Sequence, residues 1–312
     1  MYNEEVKNRF LSTIENKNTA IFYKTVLEKT QTMEQMYKKD LYKFNTKKEI
    51  MDLLASLGCS TLKSVTTMFS PITIYFKWAI SEGYVSATYY GILKSITKED
   101  LRSVVSKIKF KQKIINRNEL YHIAENICYN KQDAVVFILL FEGIDGKEHE
   151  DILNLKVNNC DFSKNIITVV SDESARLVSI PERSMKIIKA ATEEKEYYKV
   201  NGEAENCKSP FTIIENSEYV LRKGGKSNFN NKINSLTVNS RVTRMKKYTD
   251  KLFLTPMSIF QSGLIDKCKE MESEKEILTP EDYQGIYKIN NLNPNGWFNL
   301  KDLYEEYKKI IS

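Results

Sequence analysis

Apolar residues recur at intervals of three or four along most of the chain, which predicts a mainly helical protein. In the N-terminal third this pattern predicts helices over residues 1–30, 33–37, 47–57 and 60–83. Gly58 is placed to end the third of these helices, and Ser60 is a candidate N-cap for the fourth. Pro71 lies within the fourth pattern, so we expect a kink or a break there.

Beyond residue 117 the pattern changes between helical and strand-like periods. Two alternating stretches, 165–170 and 175–180, predict a β-hairpin around the turn 171–174, and residues 211–214 predict a short strand. Further helices are predicted over 118–128, 133–141, 181–191, 237–248 and 297–310, and after the Thr-Pro pairs at 255 and 279. The expected fold class is therefore mainly α with a small β-hairpin or sheet (α+β).

Length and composition exclude several classes of protein. A chain of 312 residues with 41% hydrophobic and 28% charged residues suits one large or two ordinary globular domains. No apolar run reaches the roughly 18 residues of a membrane span, and the charged N-terminus has no signal-peptide core. Five scattered cysteines without a CxxC pair favour reduced thiols in a cytoplasm and argue against a zinc site. With only two histidines, we expect no metal and no cofactor.

The net charge of +6 is unevenly distributed. Residues 102–117 hold six basic side chains and no acid, and residues 222–251 hold nine basic side chains against one acid. The rest of the chain is consequently net negative. A mildly acidic body with concentrated basic segments is typical of a nucleic-acid-binding protein. The alternative is that these segments are solvated faces and a linker.

Four groups of residues are candidate contacts to double-stranded DNA. They are a short polar face on the helix after residue 60, the basic connector, a glycine-containing loop, and the outward side of the helix 237–248. Arg241 and Arg244 are the preferred base readers, because they are three residues apart and Arg contacts to guanine are the commonest specific ones. The candidates are Ser60, Lys63, Thr66, Thr67, Lys107, Lys109, Lys111, Lys113, Arg222, Lys226, Arg241, Arg244, Lys246 and Lys247.

The stretch Leu-Thr-Pro-Met-Ser-Ile-Phe-Gln-Ser-Gly at 254–263 resembles the Thr-Pro-His-x-Leu-Arg-His-Ser box of tyrosine recombinases, the phage integrase family. In that family the first His and the Arg hold the scissile phosphate. The Thr-Pro frame and Ser262 are kept here. Met257, Phe260 and Gln261 stand at the positions of the two histidines and the arginine. The resemblance thus implies the fold without its phosphate-binding groups.

Other parts of the chain support the same resemblance. Phe-Lys-Trp-Ala at 76–79, followed by Gly83, is similar to the end of the family's helical, SAM-like core-binding domain. Residues 142–156 resemble the box with the first catalytic Arg, and alignment on Asp-Ile-Leu-Asn-Leu places Glu148 there; an offset would place Lys147 there instead. The implied organisation is a core-binding domain (1–97), a basic linker (98–117) that crosses DNA, and a catalytic-like domain (118–312).

The remaining catalytic groups of that family are also missing. The hairpin turn Ser-Asp-Glu-Ser has no lysine, and no tyrosine lies at the expected spacing, although Tyr283, Tyr287, Tyr304 and Tyr307 are near. A tyrosine without the arginines would lack electrostatic stabilisation of the phosphorane. We expect no catalytic residues and no enzyme activity. An active recombinase with an unrecognised residue set and an architectural accessory factor are the alternatives.

Short strings across the chain resemble the MrpR-type lytic-cycle repressors of SPβ-like temperate phages. These strings are residues 12–18, Asp-Leu-Tyr at 40–42, Asn-Ser-Arg-Val-Thr-Arg at 239–244, Leu-Thr-Pro at 254–256 and Ser-Gly at 262–263. The resemblance implies a repressor that binds repeated sites in phage promoters, blocks lytic transcription and maintains lysogeny in a host bacterium. A phage-encoded regulator that relieves repression is a further candidate partner. The sequence does not give the operator or the oligomeric state.

Overall fold

The computed structural model describes residues 1–170, 175–204, 208–225 and 233–311. The described chain is mainly helical with two small antiparallel sheets, as the sequence predicts. It divides into two compact units, Met1–Phe110 and Lys111–Ser312.

The first unit is wholly helical in its regular structure. Its helices are α1 (Glu4–Ser12), α2 (Lys17–Lys29), α3 (Gln31–Tyr37), α4 (Lys47–Ser56), α5 (Leu62–Ser81), α6 (Thr88–Lys94) and α7 (Lys98–Ser103), and α8 (Lys107–Lys111) begins at its end. Residues 1–30 are helical over most of their length, as predicted, and they form two helices with a break between them. The chain starts a new helix at Lys17 because the side chain of Asn16 accepts a hydrogen bond from the backbone N–H of Thr19.

Helix α5 is the long helix of the first unit, and it corrects two predictions. The side chain of Thr61, not that of Ser60, caps its start by accepting from the N–H of Ser64. The helix also continues through Pro71 without a break. Its apolar face supplies Tyr75 and Phe76 to the core, so tertiary packing of that face compensates for the backbone hydrogen bond that proline lacks.

The second unit surrounds a helix that is buried on all sides. Its helices are α9 (Arg117–His122), α10 (Lys131–Phe141), α11 (Glu150–Asn154), α12 (Glu182–Glu193), α13 (Ser235–Met245), α14 (Pro256–Glu274), α15 (Pro280–Ile289) and α16 (Trp297–Ile311). Helix α10 packs against α12, α13 and α14, and its residues from Gln132 to Phe141 are all buried. A π-helical segment, Ile123–Ile127, follows α9.

The predicted hairpin is present in the second unit. Strand β2 (Ile166–Val170) pairs antiparallel with β3 (Ala175–Ser179), in a register that places Thr168 opposite Leu177. Strand β1 (Cys160–Asp161) extends this sheet along β2. A second sheet pairs β4 (Glu196–Tyr198) with β5 (Phe211–Ile213). The predicted turn 171–174 lies outside the described residues.

Helices α10 and α14 approach each other closely at one glycine. A Cβ added to Gly263 would lie 1.7 Å from the backbone oxygen of Phe141. The N-terminal start of α14 is as predicted, since Thr255 accepts from the N–H of Ser258 and Pro256 occupies the first turn. The Thr-Pro start and Gly263 therefore set where α14 lies against the buried helix.

A charged network joins α10 to α13. The carboxylate of Asp133 is fully buried, and it accepts hydrogen bonds from the hydroxyl of Tyr197 at 2.9 and 3.0 Å. The guanidinium of Arg244 is 3.1 Å from the same carboxylate, and that of Arg241 is 3.5 Å away. Arg241 also donates to the backbone oxygens of Gln132 and Arg222.

This network corrects the prediction that Arg241 projects outward as a base reader. Arg241 is only 3% exposed, and burial lowers the pKa of its guanidinium while Asp133 opposes that shift. The physical reason is helical phase: position 241 lies three residues after Val238 and four before Met245, on the face that enters the core. Arg241 is a core residue that neutralises Asp133.

Arg222 is corrected in the same way. It is 5% exposed, and its Nη2 donates to the backbone oxygens of Ala191, Thr192 and Glu194. Those carbonyls lie at the C-terminal end of α12, where unpaired acceptors and the helix dipole favour a cation. Arg222 therefore caps a helix and is not available to a phosphate.

Replacing Gly263 with alanine should destabilise the second unit by about 3 kcal/mol or more, because the new methyl group meets backbone that cannot rotate away. Gly285→Ala on α15 is the matched control, since its Cβ would meet nothing within 4 Å. That control should be neutral or gain about 0.5–1 kcal/mol from helix propensity. Urea unfolding of both variants measures the difference, and equal stabilities would contradict the close approach.

Removing the guanidinium of Arg241 should cost about 3–5 kcal/mol, because it leaves the Asp133 carboxylate with less compensation in the core. Lys247→Ala, an exposed substitution on the same segment, should change stability little. Thermal and urea unfolding measured in the absence of DNA separate the two variants. If Arg241→Ala were as stable as the wild type, the conclusion that Arg241 is a core residue would be wrong.

Candidate nucleic-acid interface

Helix α13 presents a distinct outer face. Its start is fixed by Asn234, whose side chain accepts from the N–H of Thr237. Its inner face, which includes Val238, Val242 and Met245, is buried in the core. The opposite face carries the exposed side chains Leu236, Asn239, Ser240 and Thr243, and the exposed Lys247 follows them in the turn after the helix. We call these five residues the outer row. These positions recur at helical spacing, so they form one stripe along the helix.

The outer row changes which residues are candidate base readers. Arg244, the second predicted reader, is about 37% exposed, and its guanidinium stacks 5.5 Å from the ring centroid of Tyr197 while pairing with Asp133. One side of Arg244 is therefore committed to the core network. Asn239, Ser240 and Thr243 instead have polar side chains on the exposed stripe. The phase defined by the buried valines was the sequence signal that could have identified them.

The basic residues after α13 lie in a 3₁₀ turn, Lys246–Tyr248. Lys247 is exposed and Lys246 is half-buried. In the glycine-containing loop, Gly224 forms an isolated β-bridge with Ile214, so this part of the loop is held against β5. Lys226 lies outside the described residues.

The polar face predicted on α5 is present on the surface of the first unit. Lys63, Thr66 and Thr67 are exposed, and Ser60 is half-buried before the helix. The hydroxyls of Thr66 and Thr67 donate to the backbone oxygens of Leu62 and Lys63, as threonines in helices commonly do.

The lysines of the basic connector differ in exposure. Lys107 and Lys111 are exposed at the two ends of α8, and Lys109 is half-buried. Lys113 is also half-buried, and burial lowers the pKa of its ammonium group. Lys107 and Lys111 are accordingly the better candidates for phosphate contacts.

The four positions that match the catalytic set of recombinases differ in exposure and offer no cation to a phosphate. Met257 is 57% exposed in the first turn of α14, whereas Phe260 is 5% exposed and packs in the interior. Gln261 is half-buried, and its Oε1 has no hydrogen-bond partner among the described residues. Glu148 is exposed with a φ of 54°, in the left-handed region. None of these four side chains carries a positive charge.

Cations that lie near the corresponding loops are bound to the protein itself. Arg176 donates to the backbone oxygens of Gly143 and Ile289 and pairs with Asp151 at 2.8 Å. Lys267 donates to the backbone oxygen of Glu142, and burial lowers the pKa of its ammonium to about 8. These contacts hold the ends of helices, and they leave fewer donors for an external phosphate.

Three of the tyrosines near the end of the chain have hydroxyls of raised pKa. Burial raises the pKa of the hydroxyls of Tyr283, Tyr287 and Tyr304 above the usual value, and Tyr304 donates to Glu272 at 2.6 Å.

A cluster that sequence reasoning missed lies beside the outer row. Nδ1 of His149 is 2.5 Å from the carboxylate of Asp145, and Nε2 of the same ring is 3.2 Å from the amide nitrogen of Asn239. Glu148 and His149 both have positive φ, at 54° and 68°. This short segment leads from the end of α10 to α11 along the chain, and it contacts α13. No sequence motif indicated this contact.

Other sites for chemistry are few within the described ranges. Among these residues, no group of three or more His, Cys, Asp or Glu side chains is arranged to hold a metal ion. No described helix is long and apolar enough to cross a membrane. The described cysteines Cys59, Cys128, Cys160 and Cys268 are buried and form no disulfide.

Solved structures of recombinases resemble the chain at low identity. The Tn1549 transposon integrase in complex with circular intermediate DNA matches with a TM-score of 0.48 and 10% identity, over 99% of this chain and 98% of that one. The XerA recombinase matches with a TM-score of 0.43 and 14% identity, over 98% of each chain. A lambda integrase dimer bound to a core site matches with a TM-score of 0.43 and 13% identity, over 95% of this chain and 93% of that one.

Comparison of sequences identifies closer relatives. The chain is 26% identical over 282 residues to the SPbeta prophage-derived uncharacterized protein YopR of Bacillus subtilis strain 168, covering 89% of this chain and 85% of that protein. The family profile described as "MrpR, N-terminal core-binding domain" matches residues 1–81. The profile described as "MrpR, C-terminal catalytic domain" matches residues 114–311. Because the second profile alone matches more than half of the chain, the protein belongs to the MrpR family.

Proposed function

We propose that this protein is a sequence-specific DNA-binding repressor of a temperate phage or prophage, which blocks lytic genes and does not recombine DNA. The outer row of α13 carries this proposal. It is a stripe of exposed polar and apolar side chains that makes no contribution to the core and ends in Lys247. Such a helix face can enter the major groove, where polar groups read base edges and apolar groups contact the thymine methyl.

The proposal that catalysis is absent rests on charge. Phosphoryl transfer needs preorganised donors where negative charge develops, and that stabilisation is usually the largest catalytic contribution. Glu148, Met257, Phe260 and Gln261 provide no cation for this purpose, and only Gln261 has a neutral donor. The nearby guanidinium of Arg176 is engaged by two carbonyls and a carboxylate. A carboxylate at position 148 would repel a phosphodiester.

The phage context rests on the relatives. YopR is described as derived from the SPbeta prophage, and it covers most of this chain. We therefore assign the operator sites to phage promoters and the protein to the host cytoplasm and nucleoid. Relief of repression by a phage-encoded regulator is part of the same proposal.

Sequence recognition and covalent chemistry can be tested on the same samples. Selection on fragments of a host and prophage genome should recover discrete sites, and their affinity at about 150 mM salt should exceed that of scrambled duplexes by about a thousandfold or more. The same samples on a denaturing gel should contain no protein–DNA adduct.

The other outcomes are equally informative. A covalent band that disappears in one tyrosine variant would establish a recombinase or nicking enzyme and overturn the proposal. Binding that is weak and equal on all duplexes would instead establish an architectural factor.

The exposed lysines of the basic connector are expected to contact phosphates. Lys111→Ala should weaken binding to all duplexes alike and reduce the slope of log affinity against log salt by about 1, because one phosphate contact releases about one counterion. Lys288→Ala removes an exposed lysine from α15, outside the proposed interface, and should leave the slope unchanged. Titrations at several salt concentrations measure both slopes. If Lys111→Ala had the same slope as the wild type, Lys111 would make no phosphate contact.

A further inference from the structure

Asn239 is an outer-row residue whose side chain is held by another segment of the second unit. Its amide nitrogen lies 3.2 Å from Nε2 of His149 and 3.2 Å from the backbone oxygen of Ser235. Since a carbonyl oxygen only accepts, the contact with Ser235 establishes which end of the amide faces inward. Both amide hydrogens therefore have partners within the protein.

His149 has a defined hydrogen-bonding pattern in this arrangement. The amide nitrogen of Asn239 can only donate, so Nε2, which faces it, accepts through a lone pair. The proton of the ring is then on Nδ1, which donates to the carboxylate of Asp145. The opposite tautomer would place two donors against each other.

The backbone around His149 has an uncommon conformation. Gly146, Glu148 and His149 all have positive φ, and a Cβ on Gly146 would lie 2.9 Å from the carboxylate of Asp151. Non-glycine residues in this region cost free energy and persist where surrounding structure imposes them. The segment also contacts α13 directly. The contacts of His149 with Asp145 and Asn239 are part of the surrounding structure that imposes this conformation.

We propose that His149 is a positioning residue that fixes the amide of Asn239 with Oδ1 toward DNA, so that Asn239 acts only as a hydrogen-bond acceptor. The inference rests on the proposed DNA-binding function and deepens it. Oδ1 has no hydrogen-bond partner among the described residues, and Asn239 is exposed.

An acceptor without a free donor selects a particular base chemistry. In the major groove only adenine and cytosine present an exocyclic amino group, at N6 and N4, whereas guanine and thymine present oxygen there. Asn239 held by His149 should accept from such an amino group. It should not form the usual two-bond contact of asparagine with adenine, because that contact needs a free amide hydrogen.

The test compares two substitutions at one position. His149→Gln keeps an amide donor for Asp145 and an oxygen that accepts from Asn239, whereas His149→Leu keeps neither. Each variant is measured on the sites selected with the wild-type protein, with every base pair substituted in turn. Asn239→Ala identifies the base pair that residue 239 contacts.

At that base pair, deleting the exocyclic amino group with a base analogue should cost the wild type about fivefold in affinity, the effect of one hydrogen bond. His149→Gln should keep this loss and should still discriminate against guanine and thymine at that position. In His149→Leu the amide is free to turn and donate, so the preference for an amino-bearing base over guanine or thymine should fall about fivefold. All variants should bind scrambled duplexes equally. An unchanged preference in His149→Leu would overturn the positioning role while leaving DNA recognition intact.

A second measurement does not depend on whether the His149 variants fold. The chain has only two histidines, so nitrogen-detected NMR of the imidazole rings needs only a His122 variant for assignment. His149 should carry its proton on Nδ1 in the DNA-free protein. A proton on Nε2 would overturn the inference, and a wild-type protein without any sequence preference would overturn both this inference and the proposed function.

Discussion

The position of α13 depends on one buried charge. Asp133 lies on α10, which is enclosed by other helices, and an ionised carboxylate there is stable only if cations and hydroxyls surround it. Arg241, Arg244 and Tyr197 meet that requirement, and the first two come from the same helix. Once both guanidinium groups reach Asp133, the rotation of α13 about its axis is determined. The identity of the exposed stripe follows from this.

Much of the fold was predictable because local signals and tertiary packing agree. The Thr-Pro starts of α14 and α15, the hairpin of β2 and β3, and the buried α10 were all read from spacing alone. The start of α5 was misplaced by one residue, since Ser60 and Thr61 are both good caps. The continuous passage of α5 through Pro71 could not be read locally, because packing of the aromatic face decides it.

The candidate site was less predictable, and the reason is physical. Arginine is usually exposed, so Arg222 and Arg241 were assigned to the surface on residue type. Their burial depends on carbonyls and a carboxylate that are distant in sequence, which a single sequence does not reveal. The contact between His149 and Asn239 joins residues 90 positions apart and has no motif. The helical phase of α13, by contrast, was available and should have outweighed residue type.

The separation of the two faces of α13 has an evolutionary consequence. Its inner face carries the charge compensation and the apolar contacts of the core, so changes there disturb folding. The residues of the outer row provide neither the charge compensation nor the apolar core contacts. If the outer row reads base edges, as proposed, a duplicated gene can acquire a new site preference by substitutions confined to a few codons, without passing through an unstable intermediate. Relatives that share the scaffold can then differ in the sites that they recognise.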